Sequence, residues 1–190
     1  MRTNLFLGLA LCLLLSGCVT LQINQKLHRD GNVDMSVTFV ASKEILTGFE
    51  NITVNSAIRD RYTYTVNDGN LTYAFTDIPP GTFLFELEKG KPASFFGIES
   101  YTVEKEFHFP YYRYTYTLKP ASAFAGENNT QARAMLKVIT MEYTVETFGT
   151  VTATSGTKID DSTVQFTLDP TSDLAYTIEF KDFFLWNWLG

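Results

Sequence analysis

The chain is nearly without cysteine: Cys12 and Cys18 are its only two in 190 residues. A disulfide framework is thereby excluded, as is a zinc site built from several thiolates. Histidine is as scarce, with His28 and His108 alone. A histidine metal centre or a Ser-His-Asp triad needs further partners, and no motif supplies them. G-x-G-x-x-G, the P-loop and H-E-x-x-H are all missing. Basic residues number 15 against 21 acidic ones, giving a net charge of −6 and a pI near 4.9. That balance argues against nucleic acid, which requires clustered positive charge, and against electrostatic docking to anionic lipid headgroups. Acidic pairs do occur, with Glu104 and Glu106 on one strand face and Asp160-Asp161 in a turn. A solvated face and turn chemistry account for them. The sequence is therefore read as non-catalytic, with no cofactor and no metal. A long apolar run is also lacking: Leu5–Leu15 falls short of the ~20 residues that span a bilayer.

That short run carries the first positive information. Arg2, the apolar stretch and the small residues Ser16 and Gly17 have the layout of a secretory signal covering residues 1–17. Leu15-Ser16-Gly17-Cys18 resembles the lipobox of exported lipoproteins. The resemblance implies that a diacylglycerol-type lipid is added to the Cys18 thiol and that the chain is cut just before it. The competing reading is an ordinary cleaved signal with an incidental cysteine. Cleavage removes Arg2 and takes the charge from −6 to −7. It also leaves Cys18 without a disulfide partner, so the domain at 18–182 must be stabilised by its core alone.

That domain reads as strands, rich in Thr, Tyr, Phe and Val in alternation. Val19, Leu21, Ile23 and Leu27 share one face, with Thr20, Gln22 and Asn24 on the other. Arg29-Asp30-Gly31-Asn32 is a hairpin turn, and Met35, Val37 and Phe39 line the return strand. A second hairpin runs through Tyr62, Tyr64 and Val66, turns at Asn67-Asp68-Gly69-Asn70 and returns through Leu71–Phe75. Further strands are expected at Phe83–Glu88, Tyr101–Phe109, Tyr112–Leu118, Ala134–Thr147, Thr150–Thr154, Val164–Leu168 and Ala175–Phe180. Loops are expected at Glu88–Pro92 and Pro120–Asn129. Between the hairpins, Ser42–Arg59 is the candidate helix: Ser42 caps, Glu44 suits the first turn, and Ile45, Phe49, Ile52 and Ser56 keep helical spacing. The expectation is an α+β domain, a predominantly antiparallel sheet with hairpins packed on one helix. An all-β sandwich is the alternative if that helix fails.

Val138-Ile139-Thr140-Met141 leads to a Gly149-Thr150-Val151 step and a small-residue turn. Asp161-Ser162-Thr163-Val164-Gln165-Phe166 then enters a final hairpin. This order is similar to the late region of LppM-type lipoprotein domains, and the lipobox followed at once by a hairpin and a helix candidate agrees with it. The resemblance implies an extracytoplasmic, membrane-tethered domain with affinity for lipids or other hydrophobic molecules, and no reaction. Such proteins often continue into a C-terminal membrane helix, whereas the aromatic tail 183–190 stands in that place here.

The chain holds ten Tyr and sixteen Phe. On strands most such rings form core and cross-strand pairs. The alternative is a groove lined by Phe83, Phe85, Tyr112, Tyr114 and Tyr116 that accepts an apolar or glycan ligand. Phe183, Phe184, Leu185, Trp186 and Trp188 concentrate in the tail, a composition suited to the membrane–water boundary or to closing over the sheet. Three Asn-x-Thr sequons, at Asn51, Asn70 and Asn128, would accept glycans in a host that glycosylates exported proteins. The function expected is that of a lipoprotein exported and anchored to the outer face of the cell membrane through Cys18, binding a lipid or other hydrophobic ligand. The alternative is a structural or adhesive module whose protein partner the sequence does not identify.

Overall fold

The computed structural model describes residues 19–43, 46, 53–67, 69–88, 91–93, 101–119, 139–169 and 174–183. Strand β1 (Val19–Leu27) buries every second residue, as its alternation requires. The parity also turns Gln25 inward, between Ile23 and Leu27. β1 pairs antiparallel with β2 (Val33–Val40) across the Asp-Gly turn, where Gly31 takes φ +95°. Strands β4 (Tyr62–Asn67) and β5 (Asn70–Ile78) form the second hairpin, with Asn67 opposite Asn70 and Gly69 at φ +77°.

The Ser42–Arg59 helix, and with it the α+β expectation, is overturned. Lys43 and Leu46 are helical and the Leu46 amide donates to the Ser42 carbonyl, yet β3 (Thr53–Val54) lies in the same span as a strand. Only a 3-10 turn follows, at Ser56–Ile58. Thr53 and Val54 pair with Glu86 and Phe85 of β6 (Phe85–Glu88). Their branched side chains suit a pleated surface better than a helix interior, and pairing with β6 decides the outcome. No α-helix on which a sheet could pack exists among the described residues. The architecture is nearly all β.

Three sheets make it up. Besides the hairpins already named, the later strands are β7 (Lys91–Ala93), β8 (Tyr101–His108), β9 (Tyr111–Leu118), β10 (Ile139–Glu146), β11 (Thr150–Thr154), β12 (Thr157–Lys158), β13 (Thr163–Leu168) and β14 (Tyr176–Phe183). The largest sheet has seven strands in the order β12-β13-β10-β1-β2-β5-β4, a second runs β11-β14-β9-β8, and a third β3-β6-β7. The expected Glu88–Pro92 loop thus holds the start of β7, an edge strand, the position in a sheet that tolerates proline. β10 covers the C-terminal part of the long strand expected at Ala134–Thr147, whose residues 134–138 lie outside the described residues, as does the whole of the Pro120–Asn129 loop.

β1 sits at the centre of the large sheet and pairs in parallel with β10, from Val19↔Ile139 to Lys26↔Glu146. The outward face of this seam is polar: Gln22 donates to Glu142 at 3.2 Å and Lys26 meets Glu146 at 2.7 Å. The inward face joins the second sheet in one hydrophobic cluster, with Ile23, Val37, Tyr143, Val164, Leu118 and Phe180 fully buried.

Candidate functional site

One buried polar side chain bridges the two larger sheets. Gln25 is 1% exposed, and its Oε1 accepts hydrogen bonds from the hydroxyls of Tyr116, at 2.7 Å, and Tyr143, at 2.6 Å. The bonds tie β1 and β10 to β9 across the two sheets. The ring of Tyr101 stacks on Tyr116 with centroids 5.6 Å apart. Among the described residues the Tyr101 hydroxyl and the Gln25 Nε2 have no hydrogen-bond partner. Burial pushes the Tyr101 phenol up to about 12, eased only in part by the Gln25 side chain, and burial together with the Tyr143 neighbour raises Tyr116 well above its usual value.

A pH dependence follows, because both phenols ionise more readily in the unfolded chain than in the folded one. Their contribution to stability is complete below about pH 10, the ordinary tyrosine value, and is lost as pH rises toward the folded-state values. The denaturant midpoint is expected to fall between roughly pH 10 and 12, and less steeply in Y101F. Unchanged steepness in Y101F, measured by fluorescence-detected unfolding, would exclude Tyr101 as a source.

The second notable region is the turn joining β8 and β9. Phe107 is 60% and Phe109 76% exposed, beside Tyr111 and Tyr112. β14 ends here as well, with Phe183 opposite Tyr111 in register, 41% exposed, and its ring 5.6 Å from that of Tyr111. Two ammonium groups lie over these rings: Lys105 Nζ is 4.0 Å from the Tyr112 centroid and Lys181 Nζ 4.5 Å from that of Tyr111. Other charges nearby form pairs. Arg29 pairs with Asp182 at 2.9 Å, and Glu106 accepts from Arg113 at 2.8 Å and lies 3.3 Å from His108. His108 and Arg113 hold the Glu106 carboxyl below its usual range.

The groove residues occupy different surroundings. Phe85 is fully buried, edge-on to Tyr73 and Phe75, while Phe83 precedes it at 39% exposure. Tyr114 is buried between Phe148 and Phe180, Tyr116 belongs to the Gln25 cluster, and Tyr112 is half-buried. No described ring contact joins the Phe83–Phe85 group to the β9 tyrosines. Asn70 is half-buried at the start of β5. Cys18, Asn51, Asn128, Phe184, Leu185, Trp186 and Trp188 lie outside the described residues.

His28 contacts Asp34 at 3.0 Å. Asp160 accepts from the Ser162 amide at 2.8 Å, which holds its carboxyl below the usual range, so this acidic pair serves its turn. No group of three metal-ligating side chains occurs among the described residues. A cleft of about 370 Å³ lies on the polar face of the large sheet, bordered by Asn24, Lys26, Asp34, Ser36 and Glu146.

Sequence reasoning missed Gln25 and the β8–β9 turn. The first was legible as the one polar residue at an inward position of β1. The second was marked by Phe109-Pro110-Tyr111-Tyr112 between two strands.

No family model matches the chain. No curated protein matches it. One solved structure is similar in fold. It is the NMR structure of the folded domain of LppM from Mycobacterium tuberculosis, with TM-score 0.48, 11% identity, and coverage of 88% of this chain and 92% of that one. This is a structural resemblance and not family membership, and no residue role is carried across at that identity.

Proposed function

We propose that the protein is a non-catalytic surface lipoprotein, held at the outer face of the cell membrane by lipid on Cys18, and that its domain contacts a lipid or other hydrophobic ligand of the envelope. One observation carries the reading. The central strand of the large sheet begins at Val19, the residue after the lipobox cysteine, and Val19 is already 3% exposed and in register with Ile139. A lipid on Cys18 would therefore join the membrane to the core strand with no intervening linker. The burial of Phe85, Tyr114 and Tyr116 favours a hydrophobic contact outside the core.

C18S tests the anchor. In a host that processes lipoproteins, the wild-type chain is expected in the membrane fraction with an intact mass showing loss of residues 1–17 and gain of lipid. C18S is expected to lose the lipid mass and either leave the membrane fraction or remain uncleaved. Identical mass and fractionation for both chains would eliminate the lipoprotein reading.

A further inference from the structure

We propose that the β8–β9 turn is a second membrane-contact site, which docks on the surface of the bilayer that carries the anchor. The turn projects Phe107 and Phe109, 60% and 76% exposed, and β14 delivers Phe183 beside it. Exposed aromatic rings at a turn tip are costly in water and favourable at the membrane–water boundary. The charges around them suit a headgroup layer. Arg29 pairs with Asp182 and Arg113 with Glu106, while the ammonium groups of Lys105 and Lys181 lie over the rings of Tyr112 and Tyr111. Lysines placed on aromatic rings can keep their ammonium groups in water while the rings enter the interface. The whole chain is acidic at −6, so this local pair of cations confines attraction for anionic headgroups to the tip.

The tip's place in the fold fixes an orientation. Arg29, just past the end of β1, pairs with Asp182, which lies opposite Tyr112. The tip is therefore at the end of the domain where β1 finishes, and Val19, the residue after Cys18, is at the end where it starts. At ~3.3 Å per residue, the strand separates them by about 26 Å. Both reach one bilayer only when β1 lies along its surface. An anchored domain holds the tip within that short distance of its own membrane, at a high effective concentration, which favours that bilayer over an opposed one.

The proposal rests on the envelope reading above, and its test separates the two. The mature chain from Cys18, made in a cytoplasm that adds no lipid, is mixed with phosphatidylcholine vesicles with and without phosphatidylglycerol and floated. Binding is expected to both and to be stronger with phosphatidylglycerol. F107S/F109S is expected to lower binding to both by about tenfold or more. K105Q/K181Q should remove only the gain from phosphatidylglycerol. Near-ultraviolet circular dichroism checks that the variants are folded. Three results would overturn the proposal: no flotation of the unlipidated chain, flotation unaffected by F107S/F109S but abolished by deleting 184–190, or self-association through the tip in place of vesicle binding. For the orientation, the lipidated chain is reconstituted with brominated lipid either in its own vesicles or in added ones. Fluorescence of a probe on F109C should be quenched only in the first case; quenching only in the second would overturn docking on the anchor's bilayer. Identical mass and fractionation of C18S and the wild-type chain, with flotation of the unlipidated chain intact, would overturn the anchor and spare the tip.

Discussion

Replacing Gln25 by leucine is expected to destabilise the domain by about 3 kcal/mol, although the swap puts an apolar side chain into an apolar core. Gln25 Oε1 is the shared acceptor of the Tyr116 and Tyr143 hydroxyls, at 2.7 and 2.6 Å, and the environment is fully buried. Leucine removes the acceptor that both hydroxyls share, and the hydroxyls themselves are 3.4 Å apart. A buried hydroxyl without a partner costs roughly 1–3 kcal/mol. Removing the hydroxyls as well should reverse much of the loss, because the desolvation cost lies with the stranded groups. Q25L/Y116F/Y143F is therefore expected to be more stable than Q25L by about 2 kcal/mol. Chemical denaturation of the wild-type chain, Q25L, Y116F/Y143F and Q25L/Y116F/Y143F measures this. If Q25L unfolds at the wild-type midpoint, or the triple variant is no better than Q25L, the network does not stabilise the core.

G149A is expected to cost about 3 kcal/mol for a steric reason. A Cβ at Gly149 would lie at 2.4 Å from the Lys181 carbonyl oxygen and 3.1 Å from the Phe180 ring. The obstacle is backbone in β14, and β14 is fixed on its other side by pairing with β9, where Lys181 faces Arg113. Relief requires β11 to move away from β14, which breaks the edge of the second sheet. G81A is the control. Nothing lies within 4 Å of its added Cβ, but Gly81 has φ +73°, so backbone strain alone should cost about 1 kcal/mol. Equal losses in the two variants, read from thermal or denaturant midpoints, would contradict close packing at Gly149.

Local structure was largely legible. The alternation in β1, β2, β5 and β9 marks their buried faces, and the two Asp-Gly pairs mark turns whose glycines have positive φ. These features are written in neighbours two to four residues apart, where pleat geometry and turn sterics act directly. The Ser42–Arg59 segment shows the limit of such reading. Ile45, Phe49, Ile52 and Ser56 keep a helical period, but Thr53 and Val54 are taken into a strand by Glu86 and Phe85, more than thirty residues away.

By itself, then, the sequence determined a strand-rich chain with inward and outward faces, and it set Cys18 directly before the first strand. Tertiary structure alone decided the parallel pairing of β1 with β10 and the division into three sheets. It also decided which aromatic residues are core and which are exposed. Period-two alternation assigns a side chain to a face, but whether another sheet covers that face depends on partners far along the chain. Tyr116 lies on β9, where alternate residues are buried, and is tied to β1 and β10 through Gln25 and Tyr143; Phe107 lies on the edge strand β8, exposed along nearly its whole length.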